Sequence, residues 1–201
     1  MDIKLSEAIT GIRMALADTA MKSEKKRLFV YSDKVPCRPK CAGCCKRLVV
    51  ITVAEALLIY DHLMKSNCWQ NVAIECRKQF HAVQISNFIS WFLQGRDCPV
   101  LDPETKTCRA YSVRPAACST HFVTSAPELC DPSYMGPGEY SSLDFEDILE
   151  EFRRAVGEKI APYGILTVAL PLQQALLLAE RINLQSGLSP ERVLSLFLNE
   201  L

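Results

Sequence analysis

The stretch "CRPKCAGCC", residues 37–45, constrains this chain more than any other. Four of the ten cysteines fall in nine residues, and Cys44 and Cys45 are adjacent. No cysteine precedes Cys37 or follows Cys130. The second group, Cys98, Cys108, Cys118 and Cys130, lies among Pro99, Pro103, Pro115, Pro127, Pro132 and Pro137, which exclude long helices from residue 96 to 140. An irregular segment has little core of its own. Thiols concentrated there point to cross-links, and among reducing thiols those are metal bonds or redox groups rather than disulfides.

The compartment follows from what the ends and the apolar runs lack. The N-terminal "MDIKLSEAITGIRMALADTA" carries acids where a signal peptide needs a basic start and an apolar run. The best apolar run, "GILTVALPL", is short and broken by Pro171, so no membrane span is expected. A cytoplasmic location is the expectation. Lys+Arg and Asp+Glu are 23 each, which leaves no net field to draw nucleic acid. With 49% hydrophobic residues the chain has ample material for a packed core.

Helical periodicity surrounds the cysteine segments. Ile3, Ile9, Ile12, Leu16 and Ala20 predict a helix from residue 3 to about 21, ended by the charged run "KSEKKR", itself read as a solvated face. "LFVY", residues 28–31, reads as a short strand leading into the cysteine loop. Thr52 and Glu55 have capping-box spacing, which predicts a helix from Val53 to about Lys65. Val72, Cys76, Phe80, Val83, Phe88 and Phe92 predict one long, mostly buried helix ended by Gly95. Further helices are expected at about 142–160, at 171–185 with Pro171 at its first position, and at 190–200 with Ser189 as cap and Pro190 following. There is no repeat and no βαβ alternation. The fold class is mostly α: a helical domain with an irregular, loop-rich cysteine layer held between helices. Its parts are an N-terminal helix and lead-in (1–36), a cysteine-cluster core (37–130) and C-terminal helices packing on it (131–201), one domain overall.

Adjacent residues on an extended backbone point to opposite sides, so Cys44 and Cys45 are expected to serve two environments, or one centre with a spare thiol beside it. A disulfide between them would be strained. Gly43 permits the tight turn before the pair. Arg38, Lys40, Lys46, Arg47, Arg109 and Arg114 flank the cysteines, and cations near thiols favour thiolate. Arg114, fixed by Pro115, is the candidate for contact with the bound group. The spacings Cys37-x₃-Cys41 and Cys41-x₂-Cys44 satisfy zinc knuckles. Three close cysteines plus a remote Cys98-Pro99 also suit a cubane, so an iron–sulfur cluster, [4Fe–4S], is the first expectation and zinc the second. Radical enzymes that reduce S-adenosylmethionine use the same triad spacing but need a (β/α) barrel, which this helical pattern cannot build.

"CRPKCAGCC" followed by "TVAEALLI", "CPVL" and "TCRAYSVRPAAC" resembles the bacterial cysteine-cluster family known as CxxCxxCC, a zinc- or iron-chelating domain, over about residues 37–121. The resemblance implies metal coordination by Cys37, Cys41, Cys44, Cys45, Cys98, Cys108 and Cys118. This sequence has three residues rather than two between its first two cysteines, a departure that bears on Cys37. Relatives include a flagellin lysine N-methylase, so an enzyme related to protein lysine N-methylases is one alternative to a structural or redox metal protein. Metal sequestration or delivery is another.

Outside that motif, Cys130 completes an even eight and joins the candidate ligands. His121, three residues after Cys118, has a spacing compatible with a shared metal, although lone histidines are more often structural. Cys68 and Cys76 fall in the helical pattern and read as core thiols. Glu55 is explained by capping, and Tyr111 serves either the site or the core.

Overall fold

In the computed structural model, α1 (Ile3–Tyr31) runs unbroken through both the charged segment and "LFVY". The described residues are 3–31, 35–37, 41–161 and 168–184, with positions 192, 193, 195 and 197 beyond them. Two expectations are corrected here. Lysine, glutamate and arginine are good helix formers, so the charges do not stop the helix. They are also partly paired rather than simply solvated: Lys22 reaches Glu151 at 2.5 Å and Lys26 reaches Asp147 at 2.6 Å, both on the helix that α1 packs against. Leu28, Phe29 and Val30 then continue the helical ladder instead of forming a strand, with Phe29 92% exposed.

A short strand, β1 (Val50–Thr52), leads into α2 (Val53–Lys65), which begins and ends where the capping box and periodicity predict. Thr52 Oγ1 accepts the Glu55 N–H, and Glu55 Oε2 accepts the Thr52 N–H. Every residue from Val53 to Tyr60 is buried. The expected long helix is two: α3 (Trp69–Ile85) and α4 (Phe88–Leu93). The break is a second capping box. Asn87 Oδ1 accepts the Ser90 N–H at 2.8 Å, and Ser90 Oγ accepts the Asn87 N–H at 2.9 Å. That polar signal outcompetes a continuing apolar period. α4 therefore buries Trp91 and leaves Phe88, Ile89 and Leu93 exposed. Gly95, with φ +63°, ends it as expected.

Between residues 96 and 140 there is one short helix, α5 (Ala116–Ser119), and the strand β2 (His121–Val123). The strand pairs antiparallel with β3 (Ser142–Asp144), in register Phe122 with Leu143. Then α6 (Glu146–Ile160) packs on α1. β4 (Ala169–Pro171) pairs antiparallel with β1, Ile51 opposite Leu170. Pro171 thus closes a strand rather than opening α7 (Leu172–Leu184), because Leu172 N–H is held by Val49 O at 2.8 Å. Among the described residues the strands make only these two small antiparallel pairs, and the fold is mostly α. One apolar cluster joins α1, α2, α3, α6 and α7 through Ile12, Leu58, Val72, Val156 and Leu176. Positions 192, 193, 195 and 197 are helical, and Val193 and Phe197 join that cluster; Ser189 and Pro190 lie outside the described residues. No helix among the described residues is long and apolar enough to cross a membrane.

Candidate metal centre

The cysteine doublet sits in a 3₁₀ turn, Gly43–Lys46, closed by Cys45 N–H to Ala42 O at 3.0 Å and Arg47 N–H to Cys44 O at 3.1 Å. This overturns the expectation of an extended loop. With three residues per turn, neighbouring side chains no longer point to opposite sides. Each of the two is the largest influence on the other, Cys45 drawing the Cys44 thiol down and Cys44 pushing the Cys45 thiol up. Gly43 is required for room: a Cβ there would lie 2.4 Å from Cys130 Cβ and 3.7 Å from Cys130 Cα. Its φ is not in the left-handed region, so the turn itself does not need glycine. A second 3₁₀ turn, Pro127–Cys130, thereby packs directly on the first. Lys46 Nζ, 2.8 Å from Asp131 Oδ2, ties the two together.

Two further segments close on the doublet. Cys98 N–H donates to Cys45 O at 2.7 Å. From Cys98 the chain folds back on itself, with Leu101 bridged to Cys108, Asp102 N–H on Thr107 O and Arg109 N–H on Val100 O. The Asp102 carboxylate holds this bend through Glu104 N–H, Thr105 N–H and the Arg109 guanidinium. The turn Tyr111–Val113 then delivers the chain to α5, which carries Cys118. Cys37 joins from the other side: Val123 N–H, on β2, donates to its Sγ at 3.3 Å.

Electrostatic coupling among the thiols gives their grouping. Cys45 is raised by Cys44, then by burial, Cys98 and Cys118; Cys98 by burial, then by Cys108, Cys118 and the core thiol Cys76; Cys118 by burial, then by Cys44 and Cys108. Cys130 is raised by Cys44, Cys41 and Cys37, and Cys37 by Cys44 and Cys41. These effects run in two sets, with Cys44 acting in both. Burial, followed by these like charges, pushes Cys118 and Cys130 up to about 12. Cys44 is drawn below the ordinary thiol value, first by Cys45 and then by Arg47.

The cations separate as well. Three guanidiniums act on the thiols: Arg27 on Cys37, Arg47 on Cys44 and Cys130 while also lying 3.9 Å from Asp144 Oδ1, and Arg114 on Cys44, Cys108 and Cys118. Arg114 also stacks on Tyr111, 4.7 Å from the ring, and Tyr111 is 57% exposed rather than core. Lys46 is committed to Asp131 and Arg109 to Asp102, while Arg38 and Lys40 lie outside the described residues. His121 is not free to act as a ligand. Its Nδ1 is 2.7 Å from Asp144 Oδ1, and its Nε2 is 3.2 Å from the Tyr140 hydroxyl. Cys76 is buried on α3, and Cys68 precedes that helix with its thiol on Ser66 O.

Sequence reading passed over the second role of Glu55. Its Oε1 accepts Ala116 N–H at 2.9 Å, which fastens α5 to α2. The available signal was a lone acid inside the apolar run "TVAEALLI". Among the described residues no three His, Cys, Asp or Glu side chains are closed around one ion. The donor chemistry nevertheless fits a thiophilic metal or cluster. Mostly half-buried thiols that repel one another as thiolates, with guanidiniums acting on them, are relieved by a bound cation.

Residues 36–134 match the model of a family described as "CxxCxxCC: Putative zinc- or iron-chelating domain". Comparison of the chain with curated proteins and with solved structures found no match.

Proposed function

We propose that this chain, which belongs to the CxxCxxCC family through residues 36–134, binds iron as a thiolate-ligated [4Fe–4S] cluster in its cysteine layer, in a structural or redox role. One observation carries the reading. Separate segments of irregular chain are hydrogen-bonded into a single layer whose thiols interact electrostatically. Cys45, Cys98, Cys108 and Cys118 make the four-sulfur set we assign to the cluster. Cys37, Cys41, Cys44 and Cys130 make a second, whose knuckle spacing suits zinc. This revises the triad-plus-Cys98 grouping drawn from spacing alone, since Cys98 neighbours Cys45 and Cys118.

The protein's own groups divide the work. Arg47 and Arg114 offset the negative charge of thiolate ligands. Val123 N–H stabilises charge on Cys37 Sγ, and the Cys98–Cys45 backbone bond holds two ligand segments together. A cluster, when bound, supplies cross-linking of the loops and one-electron exchange.

The test is the iron, zinc and acid-labile sulfide content of the full chain purified without oxygen. Iron and sulfide in equal amounts, with a broad visible thiolate-to-iron absorption, is the expected result. Cys118→Ser abolishes the absorption and Cys68→Ser leaves it unchanged. Zinc without sulfide overturns the cluster, and protein free of any metal overturns the whole reading.

A further inference from the structure

We propose that Glu55 is a positioning residue for the Cys118 thiol, acting through the backbone of Ala116. The role as a ligand-positioning group rests on the metal-centre reading above; the geometry does not.

The side chain of Glu55 is 3% exposed, and its two oxygens do different things. Oε2 accepts Thr52 N–H and Thr52 Oγ1–H, each at 2.8 Å, and so completes the cap of α2. Oε1 accepts Ala116 N–H at 2.9 Å across 61 residues of sequence. A cap contributes about 1 kcal/mol and is made as well by an exposed glutamate or glutamine, so capping does not account for burying a carboxylate. The Ala116 bond does. Ala116 opens α5, where the first N–H groups have no partner within the helix. From there the turn is tied to itself: Cys118 N–H and Ser119 N–H go to Pro115 O, while Thr120 N–H, Thr120 Oγ1 and Ser119 Oγ go to Ala116 O. Glu55 therefore ties the start of this small turn, and the thiol it carries, to the buried first turns of α2, while Phe145 N–H on Thr120 O holds the turn's far end.

Glutamine distinguishes the two roles. A Glu55→Gln amide keeps its oxygen on the side that offers two donors, as capping boxes with glutamine do, and turns its NH₂ toward the Ala116 N–H. Donor then faces donor, and the tie is lost while the cap remains. Thr52→Ala does the reverse: it removes the cap hydroxyl and leaves the Ala116 bond intact.

Two measurements on each full-length variant decide the matter, together with urea unfolding. The first is iodoacetamide alkylation of the metal-free chain, mapped by peptide, with Cys98 as internal reference for Cys118. The second is Zn²⁺ affinity by chelator competition, with Zn²⁺ serving in the metal-free chain as a probe of the thiol set that contains Cys118. Glu55→Gln is expected to raise the Cys118-to-Cys98 alkylation ratio severalfold and to weaken Zn²⁺ by about tenfold to a hundredfold, the usual effect of losing a group that orients a ligand. Thr52→Ala is expected to lower stability and leave both readouts near wild type. An unchanged alkylation ratio in Glu55→Gln overturns the proposal. So does a ratio that rises in both variants in step with lost stability, because Glu55 would then be only a cap. Should wild type bind no Zn²⁺, the metal-centre reading loses support, and the alkylation ratio still decides whether Glu55 positions Cys118.

Discussion

Replacing Gly43 with alanine adds one methyl group at the point where the turn Gly43–Lys46 meets the turn Pro127–Cys130. The new Cβ would lie 2.4 Å from Cys130 Cβ, 3.4 Å from its Sγ and 3.7 Å from its Cα. A β-carbon beside a backbone cannot rotate out of the way, so the two turns must separate by about 1 Å to restore ordinary contact. Forced overpacking of this kind costs about 1–3 kcal/mol. With a urea dependence of about 2 kcal/mol/M, the unfolding midpoint falls by about 0.5–1.5 M. Gly11→Ala is the control: its Cβ would meet only Lys159, at 3.5 Å, and alanine within a helix is favoured by about 0.5–1 kcal/mol. One variant should lose stability and the other gain it. The clash also predicts its own rescue, since Cys130→Gly removes the opposing Cβ. Within that background Gly43→Ala should cost far less, a favourable coupling that a double-mutant cycle measures. An unchanged or raised midpoint for Gly43→Ala, or an equal cost in both backgrounds, would refute the close packing of the two turns.

Two predictions concern pH. With Cys118 and Cys130 raised to about 12 in the metal-free chain, both thiols carry protons at neutral pH. Zn²⁺ uptake should therefore release about one proton per protonated ligand thiol and tighten as pH rises; calorimetry in buffers of different ionisation enthalpy counts the protons, and pH-independent uptake would contradict thiol ligation. Lys46, then Ser133, holds the Asp131 carboxyl well below its ordinary value. A carboxyl lowered in the folded state contributes stability that is complete above the unfolded value of about 3.9 and is lost as pH falls through the folded value. Lys46→Met should flatten that acid limb of the stability profile, and an unaltered limb would show that the pair does not join the turns.

The helices were legible where one local signal acted without a competitor. Thr52 and Glu55 marked the start of α2 because a capping box is made within four residues and needs nothing from the rest of the chain. Prolines kept residues 96–140 irregular for an equally local reason, since each removes a donor and restricts its own φ. Where two local signals competed, the pattern misled: the apolar period across residues 72–92 concealed the Asn87–Ser90 cap that divides α3 from α4. The end of α1 was only partly local, because helix-forming Lys, Glu and Arg carry it on while Lys22 and Lys26 find their partners on α6, more than a hundred residues away.

The cysteine layer divides in the same way. Sequence alone determined where the thiols concentrate, because clustered cysteines in proline-rich chain supply much sulfur with little core. Tertiary structure alone decided which sulfurs are neighbours. The doublet was expected on an extended loop, yet Cys44 and Cys45 lie in a 3₁₀ turn. Spacing made His121 a candidate, but β3 and Tyr140 occupy both its ring nitrogens. Glu55 looked complete as a cap until the fold set Ala116 against its second oxygen. Spacing along a chain limits which side chains can meet; the choice among them belongs to backbone turns and long-range hydrogen bonds, whose partners are distant in sequence and adjacent only once the chain has folded.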